Sequence, residues 1–177
     1  MGKITNRELR GTVLVVLLAA VLPGCGGDSG PTPPSTTPPA TSPPATQPPV
    51  TERVIEVSST DVPKDIPNLT TTSSVLDVSA TGTVLELSTS VVISHTWRGD
   101  IELRLRHPDG TTATIFTPPG GDSRDDIIET FTVANAPNLA QLLNRRSNGR
   151  WTLLVIDGQP RDNGRLISWS VRMRVRG

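Results

Sequence analysis

The side chains that could do chemistry in this 177-residue chain are few, and the densest group is acidic. Asp122, Asp125 and Asp126 lie close together in a loop that also contains glycine. Carboxylates placed in this way can supply the oxygen ligands that Ca²⁺ prefers, and repulsion among them favours a bound cation. The loop therefore has two interpretations, a calcium site or a simply solvated acidic loop.

Two histidines are the candidates for a general base of the serine-protease type, which requires Ser, His and Asp together with an oxyanion hole. His95 is expected to be packed and hydrogen-bonded, whereas His107 adjoins a Pro-Asp-Gly turn and is expected to face solvent. Gly121-Asp122-Ser123 resembles a chymotrypsin nucleophile segment, but Arg124-Asp125 replaces the two glycines that follow in that family. Motifs of other hydrolases are absent from the sequence. We therefore expect no catalytic residues and no enzymatic activity.

The single cysteine, Cys25, cannot form an intramolecular disulfide, and its meaning comes from the residues before it. Three basic residues within the first ten are followed by an apolar stretch, Thr12–Leu22, and then by Leu22-Pro23-Gly24-Cys25. This order resembles the signal peptide and lipobox of bacterial lipoproteins, which implies cleavage after residue 24 and lipid on Cys25. We expect a lipid-anchored protein of the cell envelope, at the outer membrane or cell surface rather than the inner membrane. A plain secretory signal is the alternative.

Residues 25–52 are rich in proline and threonine, and pairs of prolines recur every five residues as far as Pro49. Proline fixes φ and removes a backbone donor, so this segment is expected to be a disordered, extended stalk without a core. At about 3.1 Å per residue it would reach on the order of 75 Å. A docking site for a proline-recognising module is the other interpretation.

Residues 53–177 have the composition of a β domain, since Val, Ile, Leu and Thr dominate and tyrosine is absent. Without residues 1–24 the charges nearly balance, which gives no reason to expect nucleic acid as a partner. Alternating apolar and polar residues predict seven to nine short strands, a pattern typical of an antiparallel β-sandwich or jelly roll. The expected strands cover 53–58, 74–78, 84–96, 101–105, 111–117, 127–133, 151–155 and 167–175, with at most two helical turns within 134–149.

Two charged motifs fall on these elements. Arg98-Gly99-Asp100 between two strands predicts a corner, with Arg98 and Asp100 pinning the strand ends through hydrogen bonds, although the tripeptide also matches an integrin ligand. Arg172, Arg174 and Arg176 share the outer side of the last strand. With Arg104 and Arg106 beside them, they would form either ordinary outward charges or a basic face for acidic glycans and anionic lipid.

Several motifs follow one another along residues 53–177. They are His95, Trp97, Arg98, Gly99 and Asp100 of the corner, Pro108-Asp109-Gly110-Thr111, Trp151 in Gly149-Arg150-Trp151-Thr152-Leu153, Asp162-Asn163-Gly164-Arg165-Leu166, and Trp169-Ser170-Val171. Together they resemble the P domain, or Homo B domain, of proprotein convertases. The resemblance runs from about residue 53 to the C-terminus. It implies a jelly-roll β-barrel of about eight strands, which usually follows a subtilisin-like protease domain and stabilises or regulates it. The resemblance also implies the calcium stabilisation found in some bacterial members. Unlike the usual arrangement in the family, no catalytic domain is expected before this segment.

These observations lead to one main hypothesis and two alternatives. The main hypothesis is a non-catalytic, envelope-anchored P domain that acts as an interaction or stabilising module for a secreted protease. The alternatives are a remnant of a convertase-like serine endopeptidase and a jelly-roll carbohydrate-binding module for an envelope glycan. A carbohydrate platform needs exposed aromatic rings, and because Trp151 and Trp169 lie on the apolar side of their strands, only Trp97 is a candidate.

Overall fold

The computed structural model describes residues 50–177, which form two packed antiparallel sheets. One sheet has the strand order β1-β9-β4-β7, with β2 also paired to β9, and the other has the order β3-β8-β5-β6. The strands are β1 (Glu52–Ser58), β2 (Lys64–Ile66), β3 (Thr71–Val78), β4 (Thr83–Ser94), β5 (Ile101–Arg106), β6 (Thr112–Phe116), β7 (Ile127–Thr132), β8 (Gly149–Asp157) and β9 (Gly164–Arg176). The predicted all-β, antiparallel jelly-roll sandwich is confirmed.

The core lies between the sheets because alternate residues of each strand point inward. Its largest fully buried side chains include two tryptophans, and each indole N–H is hydrogen-bonded inside the sandwich, Trp151 to the Ser147 carbonyl at 2.9 Å and Trp169 to the Ser74 hydroxyl at 2.7 Å. The aliphatic core includes Ile66, Val84, Ile93, Ile101, Leu103, Leu105, Ile127, Leu153, Val155, Leu166, Val171 and Val175.

One polar cluster, formed by Ser59, Asp61, Ser74 and Trp169, joins the two sheets and is called the inter-sheet cluster below. Asp61 accepts hydrogen bonds from the Ser59 hydroxyl at 2.6 Å and from the Ser74 hydroxyl. It also accepts from the backbone N–H of Val75 at 3.0 Å, while Ser74 receives the Trp169 indole N–H. Since β3 and β9 belong to different sheets, this cluster ties the layers together with directional bonds.

Apolar residues alternate from Ile167 through Trp169 to Val175 in the sequence of β9, which predicts that Ile167 points inward, but this prediction is wrong. In the pairing with β4, Val92 faces Ser168 and Ile93 faces Leu166, so Ile167 is the extra residue of a β-bulge. The bulge leaves Ile167 41% exposed and turns Leu166 into the core. A period of two cannot continue through an inserted residue, which explains the failed prediction.

Other boundaries differ in detail. The segment 61–68, which its two prolines predict to be a loop, contains β2, and β4 runs without a break through Ser88–Ser90. The helical region is a 3-10 helix, Pro137–Leu142, whose Leu139 and Leu142 are buried. The predicted signal peptide, Cys25 and nearly all of the predicted stalk lie outside the described residues. Within residues 50–177 no helix has the length and apolar character needed to cross a bilayer.

Candidate functional site

The corner between β4 and β5 is a short 3-10 helix, Arg98–Asp100, and its arginine faces inward. The Arg98 guanidinium lies 2.8 Å from the Glu129 carboxylate, 3.2 Å from the Asp122 carboxylate and 4.8 Å from the centre of the Phe116 ring. Arg98 is only 7% exposed, so it cannot be presented to an integrin-type receptor. Its charge instead holds β6, β7 and the 118–126 loop to the corner.

Gly99 gives this corner its shape. A Cβ at this position would lie 2.7 Å from the Asp122 carbonyl oxygen and 2.9 Å from the Trp97 indole nitrogen, closer than side-chain carbons pack. The Gly99 N–H donates to the Asp122 carbonyl at 2.9 Å, and the Arg98 N–H donates to the Arg124 carbonyl at 2.8 Å. The 118–126 loop is therefore fixed against the Trp97 indole by the backbone itself.

A depression of about 610 Å³ opens beside this corner. It is called the corner depression, and it is lined by Trp97, Gly99, Asp100, Gly120, Gly121, Gln159, Pro160, Arg161 and Asp162. Trp97 is 40% exposed, whereas Trp151 and Trp169 are buried. A Cβ on Gly120 or Gly121 would meet nothing within 4 Å, so the loop side of the depression is open.

Asp100 and Asp162 are the two acidic residues of this lining, and their carboxylates differ in their partners. Asp162 accepts one hydrogen bond, from the Thr96 hydroxyl at 2.7 Å. The Asp100 backbone is hydrogen-bonded to Trp97 and Gly158, but its carboxylate has no hydrogen-bond or ion-pair partner within residues 50–177. Partial burial and the nearby Asp157 carboxylate raise the pKa of Asp100 above its ordinary value.

His95 and Asp157 form a sealed pair beneath the corner, with both side chains fully buried. His95 Nδ1 accepts the backbone N–H of Trp97 at 3.1 Å, so the ring proton lies on Nε2, which is 3.4 Å from an Asp157 carboxylate oxygen. A Cβ on Gly164 would overlap the imidazole, and only glycine lets β9 pass this close. This pair is closed to substrate.

His107 is 4% exposed, so the prediction that it faces solvent is wrong. Its Nε2 lies 2.8 Å from the Arg146 carbonyl oxygen, its Nδ1 accepts the Asp109 N–H at 3.1 Å, and its ring meets Trp151 edge-on at 4.7 Å. The turn residues after it fold back over the imidazole, which sequence position alone does not reveal. No serine hydroxyl is a partner of either histidine in the described part of the chain.

The predicted calcium ligands do not fit a metal ion. Both carboxylate oxygens of Asp122 accept hydrogen bonds from Arg124, each at 2.8 Å, and these bonds with the Arg98 charge lower the pKa of Asp122 to about 2. Asp126 accepts the His95 N–H at 2.9 Å, and Asp125 points to solvent. Residues 50–177 contain no group of three acidic, histidine or cysteine side chains arranged to hold a metal.

The arginine stripe of β9 is matched by acids on the neighbouring strands. Arg174 bonds to Glu52 at 2.6 Å and also to Glu86, and Arg176 bonds to Glu52 at 3.0 Å. Arg172 lies 4.0 Å from Glu56. The stripe therefore fits ordinary outward charges rather than a basic face, because the arginine charges are largely neutralised. Arg104 and Arg106 do not extend it, because β5 belongs to the other sheet.

Sequence inspection placed Trp97 and Asp100 in one motif but did not bring Gly120, Gln159 and Asp162 to them. The only available signal was the Gly-rich composition of the 118–126 loop and the turn after Asp157. Both loops come together because β5 pairs with β8, so that Ile101 faces Asp157 across the sheet. This pairing is a long-range property that a local pattern does not contain.

Comparison with known proteins identifies the domain. The model of the proprotein convertase P-domain matches residues 84–173, from β4 to β9. Leupeptin-inactivating enzyme 1 of Streptomyces exfoliatus is 37% identical over 81 residues, or 46% of this chain, and a calcium-dependent protease of Nostoc sp. is 30% identical over 115 residues, or 64%. The matched segments span 17% of each relative.

A serine protease of Aeromonas sobria shares the fold, with a TM-score of 0.55 and 18% identity, over 73% of this chain and 28% of that one. The same protease in complex with its chaperone gives a TM-score of 0.57 and 19% identity over the same shares. At this identity the likeness concerns the fold alone. The family match covers half of the sequence, and this chain belongs to the proprotein convertase P-domain family.

Proposed function

We propose that this protein is a non-catalytic, protease-associated P domain that binds a peptidase at the bacterial envelope and stabilises or regulates it. The observation that carries the proposal is the family match over residues 84–173, because the Nostoc relative of this segment is named a calcium-dependent protease. The matched segment spans 17% of that protease, so it corresponds to a small part of it.

The geometry of the histidines supports a non-catalytic role. A serine-protease base must reach both a serine hydroxyl and the substrate. His95 instead faces Asp157 in a fully buried pair, and His107 is bonded to backbone groups. Neither imidazole could reach a scissile peptide bond without opening the sandwich.

The experiment that tests a peptidase partner is capture followed by an activity assay. The full chain is immobilised and exposed to the secreted and envelope fractions of its source organism, and the retained material is assayed with a fluorogenic peptide and a fluorophosphonate label. We expect retained peptidase activity that the chain alone lacks. The matched control is Leu103→Asp, which places a charge in the core, so that the domain unfolds and its binding surface is lost.

Two results contradict the proposal in different ways. Cleavage by the purified chain alone would show that it is an enzyme. If the folded chain retains no peptidase under conditions in which the peptidases of the fractions stay active, the proposed peptidase partner is ruled out. The second result would leave the family assignment in place.

The anchor is a separate part of the proposal. We infer that lipid on Cys25 and a proline-rich stalk over residues 25–52 hold the domain at the outer membrane or cell surface, which rests on the lipobox resemblance. Labelling of cells with an alkynyl fatty acid should mark the protein. The Cys25→Ser variant should lose both the label and membrane sedimentation, and equal labelling of the two forms would contradict the anchor.

A second function has one observation in its favour. Trp97 is the one tryptophan of the three that is exposed, and it borders a depression, as sugar platforms require. A glycan array tests this function, with Trp97→Ala as the control. Binding that this substitution abolishes would support a carbohydrate-binding module.

A further inference from the structure

The acidic residues of the described domain fall into two groups. Most have an Arg or Lys nitrogen within 4.0 Å, among them Glu52, Glu56, Asp61, Asp65, Asp77, Glu86, Glu102, Asp109, Asp122 and Glu129. Within residues 50–177, the acidic residues without such a partner include Asp100 and Asp162. These two line the same depression, beside the one exposed tryptophan.

We propose that the corner depression is a docking site for a basic side chain, arginine or lysine, of the partner polypeptide. This inference rests on the proposed function, because it says how the peptidase partner is held. The cation would lie against the Trp97 ring, and the Asp100 and Asp162 carboxylates would be its counter-ions.

The chemistry of the lining favours an organic cation over other ligands. The face of an indole attracts a guanidinium or ammonium group, and the attraction grows when the cation is partly desolvated. A Ca²⁺ ion would need six to eight oxygen ligands, which two carboxylates beside an aromatic ring do not supply. A neutral sugar would donate hydroxyl hydrogen bonds to the two carboxylates but leave their charges unneutralised, whereas a cation would neutralise them.

The shape of the depression also suits a side chain that arrives from another polypeptide. Gly120 and Gly121 present no side chains on the loop side, so a partner backbone can approach closely. Arg161 is the one basic residue of the lining, and its positive charge repels a cation that enters the depression. Two carboxylates and one guanidinium leave the site negative, and removal of Arg161 should therefore strengthen binding.

The test uses the three indole N–H signals of the full chain in ¹⁵N NMR spectra. The probe is N-acetyl-arginine amide, and N-acetyl-norleucine amide is the uncharged control. We expect the arginine probe to shift the Trp97 signal, with a dissociation constant of about 1 to 10 mM, and more weakly at high salt. The Trp151 and Trp169 signals should stay in place, because both N–H groups are bonded inside the sandwich.

Charge variants supply the matched comparison. Asp100→Asn with Asp162→Asn should weaken the arginine probe about tenfold, and Arg161→Ser should strengthen it about twofold. Asp125→Asn removes one charge from the neighbouring loop outside the depression and should change nothing. The double variant should also retain less peptidase in the capture assay.

The outcomes separate this inference from the proposed function. A Trp97 signal that ignores arginine, shifts equally with norleucine or shifts equally in the double variant overturns the inference. So does unchanged peptidase capture by the double variant, or a Trp97 shift caused only by neutral oligosaccharides. If arginine binds as described but the wild-type chain captures no peptidase, the proposed function fails and the site for basic polypeptides stands.

Discussion

The inter-sheet cluster and the corner depression each contain an aspartate and a tryptophan, yet the two carboxylates have opposite surroundings. Asp61 accepts hydrogen bonds from two hydroxyls, a backbone N–H and the Lys64 ammonium group. Although burial alone would raise its pKa, these bonds lower it well below the ordinary value. Asp100 has no partner in the described domain, and burial beside Asp157 raises its pKa.

The difference separates a carboxylate that holds the fold from one that remains available. A buried polar group stabilises a protein only when its bonds are made, and folded proteins rarely leave such groups unpaired without a functional reason. The Asp61 bonds join two sheets, so its loss should be costly. The Asp100 carboxylate adds a charge that the fold does not use, and its removal should cost nothing.

The largest expected effect is that of Asp61→Ala. The substitution removes the acceptor of the Ser74 hydroxyl and of the Val75 N–H, whereas the Ser59 hydroxyl can still donate to the Val75 carbonyl at 2.9 Å. We therefore expect a loss of about 3 kcal/mol in the free energy of unfolding. Urea denaturation at pH 7 measures it. The control is Asp65→Ala, whose exposed carboxylate lies 3.6 Å from Arg165 and should matter little. Equal effects of the two substitutions would show that the Asp61 bonds stabilise the fold no more than an exposed ion pair does.

The second prediction concerns pH. Because the folded pKa of Asp61 lies below its ordinary value of 3.8, its ionised form stabilises the fold, fully so above about pH 5. This contribution is lost as the pH falls below that ordinary value and through the folded pKa. The difference in unfolding free energy between the wild type and Asp61→Asn should therefore be constant from pH 5 to 7 and shrink below pH 4. A difference that grows on acidification would contradict the assignment.

The sandwich itself could be predicted, because burial between two sheets imposes the alternation that Ile101, Leu103 and Leu105 display. The polar contacts could not, since each depends on which strands become neighbours. Ser59, Asp61 and Ser74 meet only after β1 and β3 have packed in different sheets, and the expected calcium ligand Asp122 is bonded to Arg124 and Arg98. Sequence thus predicts which residues are polar near a site, whereas the fold decides which remain unpaired.

A smaller effect of opposite sign is expected for Asp100→Asn. Its raised pKa means that the folded protein disfavours the ionised carboxylate, so the amide should raise Tm at pH 7 by about 2 °C. The gain should vanish as the pH falls below the ordinary value of 3.8, where the acid is protonated in both the folded and unfolded states. Thermal scans at pH 7 and pH 3 measure it. A Tm at pH 7 that falls would mean that Asp100 has a stabilising partner.

The smallest expected effect is that of calcium. Asp122 is bonded through both oxygens to Arg124, and Asp126 accepts the His95 N–H, so a cation would have to displace existing partners before it gained ligands. The Tm of the wild type should therefore agree within about 1 °C in 5 mM CaCl₂ and in 5 mM EDTA, because a ligand raises Tm only when it binds the folded state. A calcium-dependent rise in Tm that Asp122→Asn abolishes would show that the 118–126 loop rearranges to bind the ion. The Asp122 carboxylate would then belong with Asp100, as a group available to a ligand, and not with Asp61, as a group that holds the fold.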